Sequence, residues 1–206
     1  MTRPFTEDHR LQVRKVILCE GRRLFVDGGL SAMSLSRLSE AAGIAKTSFY
    51  AFFPSKEDLL LDLLAAEAPG FSARVMAPLE DPVRPAGAAI SEFLHALLAE
   101  YRLNPFLARL VAEPQTLAAI ARRVRPEDLE RKTTWMERPL AAFFAARIVA
   151  GEIAPLPVET LLDVVRSVSL LSLHHDRFDN DARFNAAAGA LISLVADGLT
   201  RQETRP

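Results

Sequence analysis

The amino-acid sequence predicts an all-α fold, and three observations carry that prediction. Apolar residues recur at spacings of three and four along most of the chain, as they do on the buried face of a helix. The alternation of apolar and polar residues that marks a half-buried strand is scarce. Glycines and prolines fall between the periodic segments, where they end helices. The chain therefore reads as a series of helices joined by short breaks.

Length and composition indicate a globular protein of one or two domains. The chain has 206 residues, of which half are hydrophobic and a quarter are charged, an ordinary balance for a folded chain. No apolar stretch approaches the ~18 residues of a membrane-spanning helix. Residues 1–30 lack the apolar core of a secretory signal, and the single cysteine, Cys19, excludes an internal disulfide. We expect a cytoplasmic location.

The N-terminal part predicts one long helix followed by short ones. The predicted helices occupy residues 8–27, 35–42, 45–52 and 56 onward. Gly28-Gly29 and Pro54 end the first and third helices, because glycine permits positive φ and proline interrupts the hydrogen bonding. Ser34 and Ser55 are placed to cap the second and fourth. The core face of the first helix consists of Val13, Ile17, Gly21, Leu24 and Phe25.

The remaining helices are predicted to be longer. We expect a break at Pro69-Gly70 and a loop marked by Pro78, Pro82 and Pro85. Beyond it, helices are predicted at 86–103, 105–123, 126–151, 157–177 and 181–200. The whole chain therefore holds about nine helices.

Charge is divided unevenly along the chain, whose net charge is −1. Residues 1–56 carry nine Lys or Arg and five acidic residues, whereas residues 57–206 carry sixteen and twenty-one. A small basic segment joined to a larger acidic one suggests an anionic partner at the N-terminal end, although a split of this size also arises by chance. We place the domain boundary at the same point, between a 1–56 domain and a 57–206 domain.

The second and third predicted helices form a helix-turn-helix arrangement. The third carries Lys46, Thr47 and Ser48 at its N-terminus, where short polar side chains fit a groove about 12 Å wide and backbone N–H groups favour a phosphate. Phe49 and Phe53 are predicted to be core residues. The pattern indicates double-stranded DNA as the partner.

Residues 34–60, SLSRLSEAAGIAKTSFYAFFPSKEDLL, resemble the helix-turn-helix region of the tetracycline-repressor (TetR) family of bacterial transcription regulators. The resemblance extends from Ile17 to about Leu64 without a gap, and the rest of the chain is similar to the family only in length and number of helices. The residues that carry it are Leu24, Phe25, Gly29, Ser34, Leu38, Ala42, Gly43, Ile44, Tyr50, Phe53, Ser55, Lys56, Glu57, Asp58 and Leu59.

The resemblance implies DNA contacts for eight side chains. The residues that stand where relatives read base edges are Ser36, Lys46, Thr47 and Ser48. Ser34 stands where a capping threonine also touches a phosphate, and Tyr50 and Lys56 stand where relatives bind phosphates. Phe52 replaces the usual His or Tyr, which leaves an apolar contact with a sugar or a thymine methyl. Thr47 replaces a common Gly or Pro.

The C-terminal half predicts a dimer interface. The helix at 157–177 is apolar nearly all round, and the last helix has an apolar stripe with small residues beside it. The predicted interface residues are Leu161, Val165, Val168, Ala188, Leu191 and Val195. The resemblance implies a four-helix bundle across a two-fold axis, which suits a palindromic operator. The alternative is that these side chains form the core of a monomer.

The resemblance also implies a small-molecule effector site in the C-terminal half. The candidates for lining an apolar cavity are Tyr101, Phe106, Trp135, Met136 and His174. Each is also explained as an ordinary core residue. His174 and His175 diverge by about 100° around a helix, so we predict no metal site there.

These observations together predict a ligand-responsive, sequence-specific DNA-binding transcription regulator, a repressor that a small molecule releases from its operator. We predict no catalytic residue and no cofactor, because the sequence shows neither a Glu-x-x-His pair, a nucleophile–base set nor a Gly-rich phosphate loop. Two alternatives stay open at this point: a helical-bundle enzyme, and an all-helical protein-interaction module that does not bind DNA.

Overall fold

The computed structural model describes residues 6–200, apart from the side chains of residues 131 and 133–136. The regular elements of this part are all helical, which confirms the all-α prediction. Its α-helices are α1 Glu7–Ala32, α2 Leu35–Ala41, α3 Lys56–Phe71, α4 Ala77–Glu80, α5 Ala86–Leu103, α6 Pro105–Ala112, α7 Pro114–Arg123, α8 Pro126–Val149, α9 Val158–Ser169 and α10 Asp181–Thr200. Two 3-10 helices, Lys46–Ala51 and Leu170–Arg177, and a π-helical turn, Ser72–Met76, complete them. Among the described residues, no helix is both long and apolar enough to cross a membrane.

The helices form two compact units. One comprises the described part of Met1–Ala66 together with Ala112–Thr133, and the other comprises Glu67–Val111 together with the described part of Thr134–Pro206. The first unit thus extends beyond residue 56 and takes in α7 and the start of α8. The functional division at residues 56 and 57 stays a prediction.

Helix α1 forms the centre of the first unit's core. Its predicted face is buried, and Ile17, Leu24 and Phe25 are wholly excluded from solvent. Gly21 lies against α3, because a Cβ at this position would come within 3.0 Å of Leu59 Cδ2. Close packing therefore explains a mid-helix glycine, which otherwise costs up to about 1 kcal/mol of helix propensity.

The predicted break after the first helix is confirmed, since α1 changes direction at Gly28 and Gly29. Gly29 has φ 67° and ψ −166°, a combination that is open essentially to glycine alone. The carboxylate of Glu113 lies where a Cβ of residue 29 would stand. That carboxylate also accepts a hydrogen bond of 3.2 Å from the Thr116 hydroxyl. The start of α7 therefore packs directly on the turn that follows α1.

The predicted break at Pro69-Gly70 is wrong, because α3 continues through both residues to Phe71. Phe71, Val75 and Met76 are nearly fully buried. A proline inside a helix costs about 3 kcal/mol, and the burial of three large apolar side chains, at roughly 1.5–3 kcal/mol each, outweighs that cost. Pro78 of the predicted loop likewise lies in the first turn of α4.

Two helices predicted as continuous are each a pair of shorter elements, which raises the number of helices above nine. The 105–123 segment divides at Pro114, whose ring disfavours helical geometry at Glu113; that residue has φ −122° and ψ 70°. The 157–177 segment changes from an α-helix to a 3-10 helix after Ser169. The helices predicted at 86–103 and 181–200 are confirmed at both ends.

The second unit holds a buried polar cluster at the end of α5. Glu100 is buried and accepts two hydrogen bonds of 2.6 Å from the Arg74 guanidinium, which lower the pKa of Glu100 against the opposing effect of desolvation. Asn104 donates to Glu67 Oε2 at 2.6 Å and accepts from the Phe106 N–H at 3.1 Å. These contacts satisfy the charge and cap the start of α6.

Candidate nucleic-acid interface

A short turn joins α2 to the 3-10 helix Lys46–Ala51, which we call the recognition helix. Gly43 adopts φ 63° in this turn, a conformation that glycine takes without strain. The Ile44 N–H donates to the Ser39 carbonyl at 3.0 Å. The turn is therefore closed by its own backbone, and the direction of the recognition helix is fixed relative to α2.

The recognition helix is a 3-10 helix rather than the α-helix predicted at 45–52. Its last hydrogen bond runs from the Phe52 N–H to the Phe49 carbonyl at 2.9 Å. A segment this short, ending just before Pro54, winds more tightly, as isolated single turns commonly do. Phe49 and Phe53 are buried, with ring centroids 5.8 Å apart, which confirms both as core residues and anchors the helix.

The side chains that the sequence assigns to base reading and phosphate binding project from this anchored helix. Lys46 and Thr47 are exposed, and Ser48 is half-buried. The Tyr50 side chain is 56% exposed while its ring edge rests on Phe49, with centroids 5.8 Å apart. A polar surface that stands on a rigid aromatic base is suited to a groove.

The end of α2 nearest the preceding turn carries the other candidates. Ser34 caps the helix as predicted, its Oγ accepting from the Arg37 N–H at 3.3 Å. Ser36 and Arg37 are both exposed. Neither Arg37 nor Lys46 forms an ion pair within residues 6–200, although the Arg37 charge contributes, after the hydrogen bond from Arg23, to the lowered pKa of Glu20. The sequence prediction omits Arg37. Its position next to the candidate Ser36 is the feature of the sequence that could have identified it.

Lys56 ties the start of α3 to the turn after α1. Its ammonium group donates to the Leu30 carbonyl at 2.9 Å, and the side chain is half-buried. Ser55 caps the helix as predicted, accepting from the Asp58 N–H at 3.1 Å. An ammonium group has three donors, so this bond leaves two for a phosphate.

Phe52, where the sequence predicts an apolar contact, is half-buried beneath an arginine of α1. The Arg10 guanidinium carbon lies 5.4 Å from the centroid of the Phe52 ring. Arg10 Nη2 also donates to the Ala51 carbonyl at 2.7 Å. Sequence reasoning misses this residue, because the contact joins positions 41 residues apart.

The predicted effector site stays a prediction, and three of its five candidate side chains belong to the described residues. Tyr101 and Phe106 lie in the core of the second unit, and burial raises the pKa of Tyr101 to about 12, which keeps its hydroxyl protonated. His174 is exposed. The side chains of Trp135 and Met136 lie outside the described residues.

A groove of about 200 Å³ lies between α5 and α10 in the second unit. Its lining includes Ala99, Arg102, Phe184 and Gly189, and none of the predicted effector residues contributes to it. Arg102 spans the groove, donating to Asn185 Oδ1 at 3.0 Å and standing 5.2 Å over the ring of Phe184.

The predicted dimer interface stays a prediction. Leu161, Val165, Val168 and Ala188 are buried within the second unit of the single chain. Packing inside the chain therefore already accounts for part of the apolar periodicity of these helices. Leu191 and Val195 keep partly exposed side chains, and Leu194, which the prediction omits, is 70% exposed.

Two short helices joined by a closed turn, packed on a longer helix and displaying a polar face, define a helix-turn-helix protein. The model of the bacterial regulatory proteins of the TetR family matches residues 17–63 of the chain. The match covers the N-terminal region of the chain, which is similar to the TetR family there, as the resemblance implies.

Curated relatives in the family match the chain over part of their length. The HTH-type transcriptional regulator AlkX of Mycobacterium tuberculosis is 29% identical over 132 residues, which cover 64% of this chain and 58% of AlkX. The HTH-type transcriptional regulator EthR of the same species is 40% identical over 62 residues, which cover 30% of this chain and 27% of EthR. The chain thus spans less than two thirds of either relative.

Solved structures extend the likeness of fold to most of the chain. The structure of AibR in complex with isovaleryl coenzyme A and operator DNA has a TM-score of 0.61 and 15% sequence identity. The match covers 88% of this chain and 97% of AibR. The likeness of fold therefore extends beyond the matched N-terminal region.

Proposed function

We propose that this protein is a cytoplasmic, homodimeric transcription regulator that binds a palindromic DNA operator and is released from it by a small molecule. The observation that carries the proposal is the recognition helix, which holds Lys46 and Tyr50 exposed on a buried base of Phe49. Such a helix reads base edges with short side chains and binds phosphates with flanking donors. We assign DNA reading to residues 1–56, and effector binding and dimerisation to residues 57–206.

The distribution of paired charge supports an anionic partner. Arg14 pairs with Asp62, and Arg23 pairs with Glu20 and Asp27. Lys46 has no such partner among the described residues and lies at the N-terminus of the recognition helix. A cation without a protein partner loses little on contacting a phosphate and releases counterions from the DNA.

An exposed apolar stripe on α10 supports the dimer. Ala187, Leu191, Leu194 and Gly198 follow one another at spacings of four, three and four, and all are exposed. On a helix these positions share one face. A contiguous apolar face with small residues suits a two-fold contact with the same helix of a second copy.

Contacts inside the first unit support a response to a ligand. Glu113 at the start of α7 lies against Gly29, and Lys132 of α8 pairs with Asp62, which also pairs with Arg14 of α1. A movement of α7 or α8 therefore acts directly on α1, the helix on which the helix-turn-helix elements pack. AibR, whose structure holds isovaleryl coenzyme A and operator DNA, is an example of a regulator of this fold with both kinds of ligand.

Binding to a random-sequence 30-base-pair duplex, measured by fluorescence anisotropy between 50 and 200 mM salt, tests the proposal. If Lys46 and Lys56 of each protomer of a dimer contact phosphates, the slope of log K against log salt is expected to be about −3.6 or steeper. A flat slope, or no binding at 50 mM salt, contradicts DNA binding and favours a protein-interaction module.

A further inference from the structure

Arg10 meets the C-terminal end of the recognition helix through two contacts. Its Nη2 donates to the Ala51 carbonyl at 2.7 Å, and its guanidinium plane lies over the Phe52 ring, 5.4 Å from the centroid. Together, the two contacts fix the position of the guanidinium charge. The guanidinium group therefore belongs to the recognition surface, although its residue lies on the first turns of α1.

The charge of Arg10 differs from the charges of Arg14 and Arg23 on α1 in lacking a carboxylate. Arg14 forms an ion pair with Asp62, and Arg23 forms ion pairs with Glu20 and Asp27. Among residues 6–200, the guanidinium group of Arg10 has only the neutral carbonyl of Ala51 as a hydrogen-bond partner, and the residue is exposed. A full positive charge thus remains open to solvent at the end of the recognition helix.

The side chain beneath Arg10 has no hydrogen-bond donor of its own. A phenylalanine offers a phosphate only an apolar ring, whereas a guanidinium group has five N–H donors in a fixed fork. The bond to Ala51 uses one of them, which leaves four. Two parallel donors suffice for a bidentate contact with phosphate oxygens.

We infer that Arg10 is a DNA-phosphate-binding residue that supplies, over Phe52, the donor that Phe52 lacks. The inference rests on the proposed function, because it requires that the recognition helix enter a DNA groove. The phosphate concerned is the one that faces the C-terminal end of that helix. The contact carries no base information, so it adds affinity for any sequence.

The test compares Arg10→Ala with Lys15→Ala on the random-sequence 30-base-pair duplex. Lys15 is an exposed cation of the same helix with no ion pair in the described part, so its removal controls for net charge. Removing one phosphate contact from each protomer makes the slope of log K against log salt shallower by about 0.9 per protomer. We expect that change for Arg10→Ala, none for Lys15→Ala, and a slope close to wild type for Arg10→Lys.

Comparing Arg10→Ala with Arg10→Ala/Phe52→Tyr tests whether Arg10 binds a phosphate or only stabilises the recognition helix. Phe52→Tyr restores a donor beneath Arg10, so in the Arg10→Ala background it should recover part of the affinity. If Arg10→Ala weakens binding with an unchanged slope, or if Lys15→Ala changes the slope as much, Arg10 does not bind a phosphate. A flat slope for the wild-type protein instead overturns the proposed function itself.

Discussion

Gly29→Ala is expected to destabilise the protein more than any other single methyl addition at a turn of the first unit. Residue 29 has φ 67° and ψ −166°, which an alanine adopts at a cost of about 1–3 kcal/mol. In addition, the new Cβ would overlap the carboxylate of Glu113. Gly43 provides the matched control, because it has φ 63° and nothing stands within 4 Å of its Cβ position.

The difference between the two variants combines the overlap with the less favourable backbone conformation of residue 29. Gly43→Ala carries only the cost of left-handed backbone, about 1–2 kcal/mol, reduced by about 0.4–1 kcal/mol because alanine restricts the unfolded chain. Gly29→Ala carries its own backbone cost together with a displacement of the Glu113 carboxylate, which an altered rotamer provides at about 0.5–1.5 kcal/mol. We therefore expect Gly29→Ala to lose about 1–2 kcal/mol more than Gly43→Ala.

Urea unfolding followed by far-UV circular dichroism at one protein concentration gives the free energies. The double variant Gly29→Ala/Glu113→Ala should recover the overlap and leave the backbone cost, with an interaction energy of about 1 kcal/mol. If Glu113→Ala brings no recovery, or if the two glycine variants are equally destabilised, the packing of α7 on this turn is not what the geometry indicates.

Three further predictions concern the proposed interfaces and the buried cluster. Leu194→Glu should convert the dimer to a monomer in sedimentation velocity with unchanged helical signal, whereas Leu103→Glu, at an equally exposed leucine of α5, should not; a dimeric Leu194→Glu variant would exclude the α10 stripe. Because hydrogen bonds lower the folded-state pKa of Glu100, its contribution to stability is present above the ordinary glutamate pKa of about 4.3 and disappears as the pH falls. Glu100→Gln should therefore flatten the fall of Tm below that pH, and an unaltered fall would contradict the assignment. Lys56→Ala should weaken DNA binding for every sequence, while Lys46→Ala should alter preference among duplexes in a selection experiment; the reverse result would exchange the two roles.

The sequence predicted best those features whose cause is local. Capping by Ser34 and Ser55 and the break at Gly29 depend on residues within one turn, and all three are confirmed. Pro69 shows the opposite case, because a helix survives a proline when distant packing compensates. That packing becomes visible only when the burial of Phe71 is known.

At the candidate site too, the sequence indicates only those residues that lie close together along the chain. Tyr50 and Lys46 were found from the sequence because they stand within one motif, whereas Arg10 reaches the recognition helix across 41 residues. The sequence pattern does not distinguish the role of Arg10 from that of Arg14. Both guanidinium groups lie over phenylalanine rings of the same segment. What distinguishes them is that Arg14 pairs with Asp62, whereas Arg10 pairs with no carboxylate among the described residues.

The excess of positive charge in residues 1–56 is therefore an imperfect guide to the DNA-binding surface. Arg14 and Arg23 contribute to that excess, yet each is paired with a carboxylate inside the first unit, although Lys132 shares the partner of Arg14. Arg10 and Lys46 contribute no more to the sum, but each meets the recognition helix without a carboxylate among the described residues. Because a phosphate competes with any carboxylate for the same donors, we expect the unmatched cations beside the recognition helix to determine where DNA binds. The net charge of a segment indicates only that such cations exist.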